Sequence, residues 1–190
     1  MPGGGLTYTL ADQTGPIRQG EIISHVDLYI VQLSDREGEP VTVRRESQPY
    51  SIVMTQDCDL AQDFNIRSTD NPAAAKLMHN ILLCAVDTAE NLKATVPVGS
   101  DIWKRIIQNK DDRYQYLREI AIDFDSVGVG IPTLLIDFKR AFTIPTAMLY
   151  EQLRRQARRR AVLTSPYLEH LSSRFAYFVS RVALPRDHHQ

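Results

Sequence analysis

Within five residues, Thr55-Gln56-Asp57-Cys58-Asp59, the chain carries a hydroxyl, an amide, two carboxylates and one of its two thiols. A thiol becomes a nucleophile when a base or a cation lowers its pKa. The flanking Asp57 and Asp59 would raise it instead, so a catalytic Cys58 needs His25 or His79 brought close by the fold. Asp57, Asp59 and Asp63 are three carboxylates in seven residues, enough to hold a hard cation. Asp57 and Asp59 could also form a general acid–base pair. The spacing is not that of a zinc site, and no metal or cofactor is expected. The simpler alternatives are a turn closed by Asp57 and Asp59 through Asx bonds and a structural, buried Cys58. Thr55, Gln56, Asp57 and Asp59 stand as candidate substrate-binding groups, and Cys58 as a candidate catalytic one.

A second group is basic. Arg154, Arg155, Arg158, Arg159 and Arg160 make the densest cationic cluster. On one continuous helix, Arg154/Arg158 and Arg155/Arg159 stack as two ridges. Such ridges could bind nucleic-acid phosphates, or they could be a solvated helix end that complements the helix dipole. Glu151 is placed to pair with Arg155.

These groups must be positioned by an ordinary globular chain. Its 190 residues, 43% hydrophobic and 24% charged, can bury a core without disulfides. A net charge of −1 excludes a global field for nucleic acid or acidic membranes, so such binding needs a local patch. Neither Cys58 nor Cys84 lies in a CxxC spacing. The start lacks a signal-peptide pattern, and no apolar run reaches the ~18 residues of a membrane helix. A cytoplasmic location and no membrane partner are expected.

Residues 1–19 read as a loose arm. After Gly20, Val26, Leu28 and Ile30 alternate with Asp27, Tyr29 and Val31, which predicts a strand with one buried face. Residues 34–40 compose a turn, 41–43 a short strand, and 44–49 a charged loop entering an apolar strand that ends in the Thr-Gln-Asp-Cys-Asp stretch. Further strands are expected over 81–86, 94–97, 114–117 and 134–138. Helices are expected over 73–79, after Asp101, from Pro145 to about Arg160, and from Thr164-Ser165-Pro166 onward. In the last, Leu168, Leu171, Phe175, Phe178, Val179 and Val182 form one stripe. Strands first and helices last argue for an α+β fold.

Gly20-Glu21-Ile22, a strand, a turn-rich loop and then Gln48-Pro49-Tyr50-Ser51-Ile52-Val53-Met54-Thr55 resemble the start of the PemK/MazF family. Ile81 to Val86 followed by Asp87-Thr88 resembles a later strand of that family. Together they cover residues 20–97. The family's members are small SH3-like β-barrels that cleave single-stranded RNA. The resemblance implies a bent antiparallel barrel, expected here over 20–142 with short inserted helices; the two helices expected over 143–190 lie outside the resemblance and are expected to pack on that barrel. It implies an RNA-directed protein, with Arg44 or Arg45 as the cation at the phosphate and Thr88 as a positioning group. Gln48 stands where the family has Arg before the proline, so the protein reads as a degenerate endoribonuclease toxin. The alternatives are a non-catalytic adaptor in a bacterial defence or toxin–antitoxin-like system, with a protein partner on the C-terminal helices, and a thiol or metal enzyme centred on Cys58. The Thr55-Gln56-x-Cys58-Asp59 motif also resembles a group of uncharacterised bacterial proteins, a likeness that implies no function.

Overall fold

The computed structural model describes residues 6–32, 40–69, 76–95 and 99–181. They form an α+β fold. Its seven strands are β1 (Tyr8–Leu10), β2 (Glu21–Gln32), β3 (Thr42–Val53), β4 (Asn80–Thr88), β5 (Tyr114–Leu117), β6 (Leu134–Pro145) and β7 (Arg158–Leu163). They pair antiparallel in the order β1-β7-β2-β3-β4-β6-β5. The five helices are α1 (Asp57–Arg67), α2 (Ala89–Thr95), α3 (Ser100–Ile107), α4 (Thr146–Arg155) and α5 (Tyr167–Ser180).

The sheet has apolar groups on both faces. Ile22, Ile52 and Cys84 lie opposite one another on β2, β3 and β4. They share a core with Leu134, Ile136, Phe138 and Leu163. The stripe of α5 covers that core through Leu171, Phe175 and Phe178, with the Phe138 and Phe175 rings edge-to-face at 5.6 Å. Val179, expected in the same stripe, is exposed, and Val182 lies outside the described residues. On the other face Ile23, Val53, Leu83 and Ile144 pack against Leu60 of α1 and Leu149 of α4. A third, small core joins α2 and α3 to β5 through Leu92, Ile106 and Tyr114.

The expected closed barrel is not formed. β1 and β5 are both edge strands, and no ladder joins them. The sheet nevertheless curls until those edges face each other. The Tyr8 hydroxyl donates to the Arg118 carbonyl at 3.1 Å, just past the end of β5. Side chains cap the free edge of β5. Asn109 bonds both the N–H and the C=O of Tyr116 at 2.6 and 3.1 Å. Asp111 accepts from the Tyr114 N–H, and Arg174 donates to its C=O. Such capping removes the backbone template that would otherwise recruit another strand. Irregular pairing supplies the bend. β4 and β6 change register between Cys84 and Val86, and β2 and β7 between Ile22 and Ile23.

Several local expectations are corrected. Helices alternate with strands instead of gathering at the end, and β7 lies between β1 and β2. Residues 8–10, expected in a loose arm, are edge strand β1. Residues 44–49, expected as a loop, are the middle of a twelve-residue strand. The strand expected over 94–97 is instead the end of α2 at Thr95, with 96–98 outside the described residues. The turn over 34–40 falls outside them but for Pro40; of the helix expected over 73–79, residues 73–75 fall outside, and Leu77 to His79 is not helical. Beyond Ser24 on β2 and Tyr50 on β3, neither strand pairs with a third strand among the described residues. The outer halves of β2 and β3 therefore form a two-stranded ribbon. Its root is His25, whose φ of 61° is uncommon for a residue with a side chain.

Candidate functional site

The Thr55–Asp59 stretch does not continue the strand. β3 ends at Val53, and Asp57 opens α1. Thr55 Oγ1 accepts the Leu82 N–H at 2.8 Å and so ties the turn to β4. Asp57 points back to the segment before β2. It accepts from the Gln19 N–H at 2.6 Å and from Arg18 Nη2 at 2.8 Å. Burial raises the Asp57 pKa. The Arg18 hydrogen bond, the Gln19 amide and the Arg18 charge outweigh that and hold it below the ordinary carboxylate value. Asp63 is buried and bound to Arg67 Nε at 2.6 Å and to the Met78 N–H at 2.8 Å. Gln56 and Asp59 remain exposed on the first turn. The carboxylates are therefore dispersed, and among the described residues no group of three or more His, Cys, Asp or Glu side chains is placed to hold a metal ion.

Cys58 is exposed, not a buried structural thiol; Cys84 is the buried one. Its Sγ lies 3.8 Å from Gln56 Oε1 and from Asp59 Oδ1, both acceptors. Neither His25 nor His79 is within hydrogen-bond reach among the described residues, so no base activates it. Burial, with the Asp137 charge, pushes the Cys84 thiol up to about 12, so it stays protonated.

The residues assigned to RNA chemistry by the family resemblance are separated. Arg44 pairs with Glu46 at 3.2 Å on the outer ribbon. Arg45 pairs with the buried carboxylate of Asp27 at 2.8 Å. Thr88 ends β4, and its hydroxyl accepts the Asn91 N–H at 3.2 Å in the first turn of α2. Continuing the β3–β4 register puts Thr88 level with Gln48, four residues or roughly 13 Å along the strand from Arg44. Gln48, standing where the family has Arg, is buried and accepts from Arg140 at 3.0 Å, while Arg140 also pairs with Asp87.

The arginine run is cut in two. α4 ends at Arg155, and Arg158 begins β7, so the expected helical ridges do not exist. Glu151 bonds both Arg154 and Arg155. Arg159 and Arg160 are buried. Arg159 makes a two-pronged pair with Glu21 and donates to the Gly15 and Pro16 carbonyls, each at 2.7 Å. Arg160 makes a two-pronged pair with Asp125 at 2.7 Å and lies 5.8 Å from the Tyr50 ring. These two cations join segments of the fold and are not available to a ligand.

Two exposed arginines do border a cavity. Between α1 and α4 run two adjoining hollows of about 280 and 220 Å³ that share Phe64, Tyr150 and Arg154. Arg67 lies at one end, 5.8 Å from the Tyr150 ring, and Arg158 at the other. Phe64 is half-buried and belongs to none of the three cores. The Tyr150 hydroxyl is buried without a hydrogen-bond partner, and burial raises its pKa. Arg158 donates only to backbone carbonyls, and no carboxylate pairs with it among the described residues. Glu151 neutralises only one of its two arginines. The groove thus combines two aromatic rings, an unmatched hydroxyl and surplus positive charge. Sequence reasoning missed Phe64 and Arg67 because it missed α1, which buries only Leu60 and Asp63, and so gave Tyr150 on the expected α4 helix no neighbour to form a groove with. The available signals were Asp57 and Asp59 in a first turn and an Asp63–Arg67 spacing of four.

Fold and groove together define an α+β protein built on one open, curled antiparallel sheet. Compared with known proteins, the chain matches no family model and no curated protein. No helix among the described residues is long and apolar enough to cross a membrane.

Proposed function

We propose that this protein binds single-stranded RNA without cleaving it, on an SH3-like sheet related to the PemK/MazF barrel and opened between β1 and β5. The observation that carries the reading is the α1–α4 groove, where Phe64 and Tyr150 stand between Arg67, Arg154 and Arg158. Sequence-tolerant strand binding needs ring faces for bases and cations for the backbone. Arg44, Arg45 and Thr88 are engaged by Glu46, Asp27 and the start of α2. That supports binding over phosphoryl-transfer chemistry.

The test is anisotropy of a labelled single-stranded RNA titrated at several salt concentrations. Phe64→Ala should weaken binding by about 5–150-fold, the range of one lost base–aromatic stack. Arg158→Gln should weaken all sequences alike and flatten the log-affinity against log-salt slope by roughly 0.7. The RNA should be recovered intact after prolonged incubation. Absence of wild-type binding at low salt would refute the reading.

A protein-binding adaptor is the second reading. The outer ribbon favours it, because Tyr29, Val31 and Val43 are exposed together on one face of a strand pair.

A further inference from the structure

A second cavity lies where the sheet fails to close. It measures about 450 Å³ and is bounded by β1, β5, the end of α3 and the start of α5. That volume falls within the range of small-ligand sites. At its inner wall is Gln115, only 4% exposed. Its Oε1 has no hydrogen-bond partner, and its Nε2 reaches only the Tyr116 carbonyl at 3.5 Å. Whichever way that amide is turned, one end is left unmatched. A buried, unmatched amide costs stability that an apolar side chain there would not. Gln115 shares its sheet face with Leu117 and Ile136, both in the first core, so an apolar residue would fit the pattern.

The other lining groups narrow the ligand. The Tyr116 ring packs on the opposite face of β5 against the third core, while Tyr167 and His170 stand exposed at the rim on the first turn of α5. These are planar faces suited to stacking. Arg118 is exposed at the mouth, and no Asp or Glu is among the lining residues. An amide at depth, rings at the rim and a cation without a competing carboxylate suit a planar ring that carries donors and acceptors on its edge and an anion on its tail. We propose that the cleft between β1 and β5 binds one nucleotide, with the base edge on Gln115, the ring against Tyr167, and the phosphate at Arg118. The nucleotide comes either free in solution or as the phosphorylated end of an RNA strand. The site is separate from the α1–α4 groove and does not depend on it.

The full-length protein is titrated with adenosine, guanosine, cytidine and uridine monophosphates by calorimetry, and with short RNAs bearing a 5′-phosphate or a 5′-hydroxyl. At least one free monophosphate should bind saturably, or the 5′-phosphorylated RNA should bind at least tenfold tighter than its 5′-hydroxyl twin. The first result assigns a free nucleotide and the second a strand end. Gln115→Met should abolish this binding while leaving the melting temperature equal or higher. Arg118→Gln, a surface change, should weaken it at least tenfold. Both variants should keep the groove-dependent RNA affinity that Phe64→Ala weakens. The proposal is overturned if no nucleotide, free or terminal, binds at millimolar concentration. Binding that survives both Gln115→Met and Arg118→Gln overturns it equally.

Discussion

Adjacent arginines in β7 do different work from the arginines that precede them. Arg159 and Arg160 are each locked to a buried carboxylate, Glu21 and Asp125. Arg154, Arg155 and Arg158 face solvent. Removing one partner of a buried pair leaves an uncompensated charge. Arg160→Met should therefore cost about 3–5 kcal/mol in urea unfolding, whereas Arg155→Gln should move the midpoint negligibly. Equal effects would contradict the assignment. The same pair sets an acid dependence. Burial raises the Asp125 pKa, but the Arg160 hydrogen bond, the Val127 and Val129 amides and the Arg160 charge outweigh it, so its native value lies below the ordinary one. Ionised Asp125 then stabilises the fold above about pH 4, and that contribution disappears as pH falls through the lowered native value. Asp125→Asn should make the protein less stable at neutral pH and its loss of stability in acid shallower. A series of denaturation midpoints against pH reads both.

Among the elements, the ribbon is the least supported. Among the described residues the outer halves of β2 and β3 pair with each other and with no third strand, and a lone two-stranded ribbon is marginally stable in water. In hydrogen exchange, the amides of residues 29–32 and 42–45 should exchange fastest of all strand amides. Those of residues 83–86, in the middle of the sheet, should exchange slowest. Similar protection in both would mean that something covers the ribbon. The elements also differ in how plainly the sequence announces them. β2, β4 and β5 carry alternating or compact apolar runs and are legible as strands. The stripe on α5 is legible because Leu171, Phe175 and Phe178 recur at helical spacing. α1 is not, since it offers the core little beyond Leu60 and is held by polar bonds from Asp57 and Asp63 to distant segments. β7 is hidden for the opposite reason. Arg158-Arg159-Arg160 reads as a solvated helix end, and only the positions of Glu21 and Asp125 make those cations interior groups. The candidate site shares this limit: Arg154 and Arg158 were visible as cations, but the rings that make a groove of them belong to an unforeseen helix and its neighbour.

At the scale of the whole molecule, the order β1-β7-β2 makes the beginning of the sheet wait for its end. Ile22 pairs with Ala161, and Tyr8 with Leu163. Contacts so distant along the chain are slow to form. During synthesis, Glu21 leaves the ribosome long before Arg159, and Asp125 before Arg160. Until β7 emerges, the outer edge of β2 has no strand beside it, and both carboxylates lack their cations. The nascent chain thus carries an adhesive border through most of its translation, and the last strand acts as the clasp that closes it. A chain stopped after Gln156 should sediment as aggregate or be retained by chaperones, while the chain continued through α5 is released and monodisperse. If the shortened chain is equally soluble and cooperatively folded, β7 is an accessory strand and the sheet is complete without its clasp.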